Sequence, residues 1–288
     1  MKKRIDWLTA LLLIIGLGLM TVSAGMWYHL VSSQVETNSR LNEAIDNSEK
    51  KAGSWPTAKQ QDELDRARAY NSALDVKHSD MRNDDFNVAK DSEYTSLLDI
   101  DGNGLMASVY IPSISTRVPV YHGTADDTLI NGAGHMRGTD LPTAEKGTLS
   151  VIAGHSGSVQ GMYFTRVPSL KIGDLFYVNI LGKDFAYKIT ALPEIDPTDT
   201  DALRNLYSQD KTQVVLLTCV PIGINTKRLL VIGELDTQAP PVTAAPKDKI
   251  WPWGVIIASL IALLIITLIL AIRHFIRRKR TSQITDIQ

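Results

Sequence analysis

The chain is 288 residues long, carries 30 Lys and Arg against 31 Asp and Glu for a formal net charge of −1, and contains one cysteine. Its ends hold Lys2, Lys3, Arg4, Arg273, Arg277, Arg278, Lys279 and Arg280 against Asp6 and Asp286, a surplus of +6, so the residues between carry about −7. That balance excludes a basic nucleic-acid-binding surface, and a lone cysteine excludes an internal disulfide.

In chain order, the first element is an apolar run from about Trp7 to Leu30 behind Lys2-Lys3-Arg4. A second uncharged apolar run, Trp251 to Ile272, precedes Arg273 and the basic cluster Arg277-Arg278-Lys279-Arg280. At 1.5 Å rise per residue, about 22 helical residues reach about 33 Å, enough for a hydrocarbon core of about 30 Å. The basic flanks place both termini in the cytoplasm of a two-pass cell-membrane protein and everything between outside. A cleaved signal peptide fits poorly, because the run is long and Met26-Trp27-Tyr28-His29 lacks small residues for cleavage. The expected division is a cytoplasmic tip and transmembrane helix at 1–31, an extracellular helical segment and loop at 32–98, and a globular domain at 99–237. A linker at 238–250, a transmembrane helix at 251–272 and a basic cytoplasmic tail at 273–288 follow.

Within the exterior segment, Leu64, Ala67, Tyr70 and Leu74 recur at helical spacing and predict an amphipathic helix over 58–74. Residues 75–91 are rich in Asp and Asn, lack periodicity and predict a loop. Asp99-Ile100-Asp101-Gly102-Asn103-Gly104 begins like a calcium loop, but Tyr110 stands where a bidentate Glu is needed and a strand pattern follows. A tight turn entering the first strand accounts for it better.

Short β-like runs then recur at 105–111, 118–121, 149–153, 175–180, 185–192, 214–218 and 229–234, separated by Gly, Pro and Asp turn signals. Short helices are expected near 126–133 and 201–206. The fold class is mainly β, a closed barrel or a sandwich.

The sole cysteine, Cys219, ends the run Val214-Val215-Leu216-Leu217-Thr218 just before a Pro221/Gly223/Asn225 turn, and Arg228 starts the next apolar run. A thiol attacks as thiolate, so partial exposure near positive charge suits it. A cysteine nucleophile also needs an acid/base, usually His, and a group to hold the oxyanion. His29 and His274 lie at the apolar spans and His78 in the polar loop, leaving His155, His135 and His122, in that order of preference. His155 sits just past the run 149–153, as Cys219 sits past its own. Arg228 could bring a rigid fork of donors beside the thiol.

Val151-Ile152-Ala153-Gly154-His155-Ser156-Gly157, Leu216-Leu217-Thr218-Cys219 and Asn225-Thr226-Lys227-Arg228-Leu229-Leu230-Val231 resemble the sortases, specifically the class C, pilus-assembling branch. Tyr121-His122-Gly123-Thr124 and Gly134-His135-Met136-Arg137-Gly138-Thr139-Asp140-Leu141-Pro142 resemble that branch too. The resemblance covers about residues 58 to 235. It implies an eight-stranded sortase barrel with short helices, preceded by a helical segment and flanked by the two transmembrane helices. His155, Cys219 and Arg228 become the catalytic residues, Thr218 part of the substrate groove, and no metal or cofactor is required. Two departures stand out: Val215 replaces the Thr that opens the family's Thr-Leu-x-Thr-Cys, and the lid's Asp-Pro-aromatic plug has its nearest match in Asp84-Asp85-Phe86. The implied activity is cleavage of a Leu-Pro-x-Thr-Gly-like sorting signal and transfer to a pilin lysine. Alternatives are transfer of surface proteins to a peptidoglycan amine, or a non-catalytic membrane-tethered binding module with an inert thiol.

Overall fold

The computed structural model describes residues 55–74, 91–99, 102, 104–157, 163–199 and 201–242, with scattered helical positions between 16 and 26. The chain divides into two compact units, Met1–Val35 with Asp248–Gln288, and Glu36–Lys247. In the first, the described positions are helical and exposed. Among the described residues no helix is long and apolar enough to cross a membrane. The span expected at 251–272, most of that at 7–30, His78, and the lid residues Asp84, Asp85 and Phe86 lie outside the described residues.

The second unit opens with helix α1 (Ala58–Ala73). Its start is fixed by a capping box: Gln60 N–H donates to the Thr57 hydroxyl, and Thr57 N–H donates to the Gln60 side chain at 2.7 Å. Leu64 and Ala67 are buried, and Tyr70 packs against the same cluster, as the spacing predicted. Trp55, just upstream, donates its indole N–H to the Leu181 carbonyl and sits edge-on to Phe185, with Lys183 Nζ 4.2 Å above its ring. The far end is held as firmly. Asn71 donates to the Leu141 carbonyl and accepts from Leu141 N–H at 2.8 Å, so both atoms of its amide are used. After the undescribed stretch comes the short helix α2 (Ser92–Ser96), capped by Asp91, whose carboxylate also pairs with Arg137 at 2.8 Å.

Asp99 settles the loop that begins like a calcium site. Its carboxylate accepts the N–H groups of Gly102 and Gly104, both with positive φ, and so shapes a turn into the first strand.

The barrel strands are β1 (Leu105–Ile111), β2 (Thr116–His122), β3 (Ala133–His135), β4 (Thr148–Ala153), β5 (Leu175–Ile180), β6 (Lys183–Ala191), β7 (Glu194–Ile195), β8 (Thr212–Val220) and β9 (Lys227–Leu235). Eight of them close a ring in the order β6-β5-β1-β2-β3-β4-β8-β9, because β9 pairs back onto β6. Closure removes free edges and decides between barrel and sandwich. The two-residue β7 borders the first part of β9, pairing Ile195 with Arg228, before β6 takes over. Helices α3 (Asp126–Asn131) and α4 (Asp201–Arg204) fill connections.

Two strands differ from the sequence-based expectation. β3 occupies residues assigned to the end of a helix and a turn, and β7 was not expected. At three and two residues they are too short to show alternation, and their partners, β2 with β4 and β9, hold them extended.

Apolar side chains of β4, β8 and β9 separate by parity. Ile152, Leu216 and Val231 point into the barrel's main cluster; Val151, Val215, Leu230 and Ile232 form a second cluster with Met136, Leu149 and Leu203 on the outer face. A pleated strand sends alternate side chains to opposite faces, so these three strands have two buried sides. The outer one carries the site.

Candidate active site

Register along β4, β8 and β9 lays out rows across the outer face. Val151 faces Val215, which faces Ile232; two residues on, Ala153 faces Leu217, which faces Leu230. The next row holds Cys219 directly opposite Arg228, with His155 at the continuation of β4. Adjacent strands lie about 4.8 Å apart, so the backbone positions of the three residues fall within a band about 10 Å wide. All three side chains are half-buried, as is Leu217 in the row beneath, while Val151, Val215 and Ile232 one row further down are buried.

The Leu217 carbonyl points toward β4, where it takes the N–H of Gly154 at 3.0 Å. Carbonyls two apart share an edge, so that of Cys219 points the same way, and it receives the hydroxyl of Ser156. Cys219 and Arg228 therefore form the non-hydrogen-bonded kind of antiparallel pair, whose Cα atoms lie about 4.5 Å apart and bring side chains closest. Arg228 donates from Nη1 to the carbonyls of Asn225 and Lys227, at 3.1 and 3.2 Å. Beyond Arg228, the Asp196 carboxyl is held below its usual range, mainly by hydrogen bonds from Thr198, with the Arg228 charge contributing less.

The turn bearing His155 is tightly packed. A Cβ on Gly154 would lie 2.7 Å from the Phe164 ring, and Phe164 N–H returns to the His155 carbonyl at 3.1 Å. Gly157 adopts φ +71°, a left-handed conformation that glycine reaches without strain.

His155, Cys219 and Arg228 line a cleft of about 620 Å³. Leu129 of α3, Met136, Ile195, Leu203 and Leu217 give it apolar walls, with Thr124, Asp126, Thr198 and Asp199 among its polar lining. This suits an extended peptide with apolar side chains lying past a reactive end. Among the described residues, no group of three His, Cys, Asp or Glu is placed to hold a metal.

Thr218 does not line the groove as expected. Its parity turns it inward, where it is fully buried and donates to the Gly154 carbonyl at 2.8 Å. The two other candidate histidines also lie elsewhere. His135 is fully buried, with Nδ1 at 2.8 Å from the Tyr94 hydroxyl and Nε2 at 2.8 Å from the Asp140 carbonyl, and burial pushes its pKa down to about 4. His122 places Nε2 at 2.8 Å from the Leu97 carbonyl and stacks edge-on with Tyr94, and burial lowers its pKa as well. Both brace the N-terminal segment against the barrel. Sequence reasoning passed over Tyr94, whose hydroxyl also accepts Gly123 N–H at 3.1 Å; a lone aromatic in a polar five-residue helix gave no periodic signal.

A closed eight-stranded barrel with a cysteine, histidine and arginine on one outer row of adjacent strands defines a cysteine-enzyme architecture. The sortase domain family matches residues 109–236. A sortase A of Bacillus anthracis is 29% identical over 136 residues, 47% of this chain and 62% of its own length; the chain spans less than two thirds of the curated relatives it matches first. Sortase C-1 of Actinomyces oris is 36% identical with a TM-score of 0.57, over 62% of this chain and 99% of that one. Sortase C of Streptococcus pneumoniae is 28% identical with a TM-score of 0.57, over 69% of this chain and 100% of that one. The chain belongs to the sortase family.

Proposed function

We propose that this protein is a class C sortase, a membrane-anchored cysteine transpeptidase that joins pilin subunits outside the cell. The observation carrying the reading is the single outer row of His155, Cys219 and Arg228 at the head of an apolar cleft. The Cys219 thiolate attacks the Thr carbonyl of a Leu-Pro-x-Thr-Gly-like signal, and the tetrahedral oxyanion is held by N–H donors of Arg228. The C–N bond breaks as the His155 imidazolium gives its proton to the departing glycine amine, leaving a thioester on Cys219. A neutral lysine amine of another pilin attacks the thioester, its proton passes to His155, and the C–S bond breaks to release an isopeptide and regenerate the thiolate. The Streptococcus pneumoniae sortase C, similar to this chain, is described in terms of pilin substrate specificity, which supports the pilin choice. Similarity to a sortase A supports the second reading, transfer of a surface protein to a peptidoglycan amine. In either case the runs 7–30 and 251–272 would hold both ends of the chain in the membrane, with Asp84, Asp85 and Phe86 in a lid before the barrel.

The test is to supply the full chain with a sorting peptide and two amines at equal concentration, a pilin-derived lysine peptide and a peptidoglycan stem peptide, and to weigh the products. A lysine isopeptide product is expected. Exclusive stem-peptide product assigns the second reading, and an intact sorting peptide contradicts both.

A further inference from the structure

The backbone ladder between β4 and β8 gives way at the residues the chemistry needs. Its last bond on the Cys side is Gly154 N–H to the Leu217 carbonyl, 3.0 Å. In a parallel ladder the next two bonds would run from Cys219 N–H to the Gly154 carbonyl, and from Ser156 N–H to the Cys219 carbonyl. Side-chain hydroxyls occupy both acceptors instead. Thr218 donates to the Gly154 carbonyl at 2.8 Å, and Ser156 donates to the Cys219 carbonyl. These hydroxyl bonds lie on either side of His155, whose own carbonyl is taken by Phe164.

We propose that Ser156 is a positioning residue for the transfer reaction: its hydroxyl ties the turn carrying His155 to the peptide plane of Cys219 and sets the separation of imidazole and sulfur. The proposal rests on the catalytic pairing put forward above. Ser156 is 6% exposed, so its hydroxyl competes little with water. The turn beyond is pinned from the other side, where Gly157 N–H donates to the Thr165 hydroxyl at 2.9 Å and Ile222 packs where a Gly157 Cβ would go. With both flanks fixed, loss of the Ser156 bond frees the histidine turn at a contact that joins it to the cysteine's own peptide unit.

The experiment compares the full chain with Ser156→Ala, Ser156→Thr and Ser156→Val, the last two matched in volume and differing in the hydroxyl. Two readouts are taken: steady-state cleavage of a Leu-Pro-x-Thr-Gly peptide, and the pH profile of Cys219 alkylation by iodoacetamide. Misplacing a reacting group by a fraction of an ångström lowers turnover by about tenfold or more. We expect that loss in kcat for the Ala and Val variants with KM within about twofold, a displaced alkylation profile, and recovery of both in the Thr variant. Wild-type kcat and alkylation in the Ala and Val variants would overturn the proposal, as would losses that only track a fall in thermal midpoint or that Thr fails to restore. If no protein, wild type included, cleaves the peptide while the alkylation profile still moves with the hydroxyl, the transpeptidase reading falls and only the coupling of Ser156 to the His155–Cys219 pair stands.

Discussion

Two histidine neighbourhoods in this molecule share a sequence signature, Gly-His at the end of a short strand, and differ in everything that decides chemistry. His135 ends β3 with its ring fully enclosed, both nitrogens committed and its pKa pushed down to about 4. His155 follows β4 half-buried on the rim of a cleft, on the row that carries Cys219 and Arg228. The difference comes from what covers the ring. The N-terminal segment lays Tyr94 over His135 and His122, whereas the outer face of β4, β8 and β9 stays open past its last apolar row. Burial converts an imidazole into a neutral brace, whereas His155 keeps part of its ring toward the cleft.

The comparison breaks most visibly by exchanging the same substitution between the two places. His155→Asn should lower kcat by about 10³-fold, the scale of a lost general acid/base, with stability little changed. His135→Asn should do the reverse, costing about 1–3 kcal/mol of stability through unmatched buried partners while kcat stays within about twofold. Denaturant titration and steady-state kinetics on both variants decide it. Next in size is Arg228→Lys, which keeps the charge and loses the planar fork; kcat should fall by about 10²-fold with alkylation of Cys219 retained.

A smaller effect sharpens the buried side. Burial raises the pKa of Asp140 to about 6, although its carboxylate accepts Leu149 N–H at 2.8 Å. The linkage signs of Asp140 and His135 are opposite. Depressed in the fold, His135 costs stability progressively as pH falls from about 6.5 to 4, because the unfolded chain takes up the proton first. Raised in the fold, Asp140 adds stability over nearly the same window, from about 6 down to 3.8, because the folded chain takes up its proton first. The two largely cancel in the wild type. Asp140→Asn keeps an acceptor for Leu149 and removes the titration, so relative to wild type it should lose about 2 kcal/mol of stability between pH 6 and pH 4. A variant whose difference from wild type stays constant across that range would show that Asp140 does not titrate there.

What the sequence made legible follows the same division. The β-like runs bounded by turn signals were located to within a residue or two, but setting Cys219 beside Arg228 takes the register of β8 on β9, which the sequence offered only as a condition. The helix over 58–73 was legible because the spacing of Leu64, Ala67 and Tyr70 is a local pattern. Ring closure through β6 and β9, the short β3 and β7, and Tyr94 were not, because each depends on partners far away in the chain rather than on a local pattern. Thr218 shows the limit of motif reading: its place beside Cys219 suggested the groove, and the pleat turned it to the opposite face. The orders of preference among three histidines could be stated from sequence, but what removes His122 and His135 from the cleft is a segment packed over them from elsewhere in the chain.

In the proposed reaction Cys219 is a nucleophile presented at the head of the cleft and not a small apolar filler. Intact-mass measurement of the full chain, quenched in acid after brief exposure to a Leu-Pro-x-Thr-Gly peptide without added amine, tests it directly. The expected result is an acyl adduct equal to the peptide up to its threonine, mapped to Cys219, cleaved by hydroxylamine and missing from Cys219→Ala. An unmodified chain, or an adduct that persists in Cys219→Ala, would contradict it.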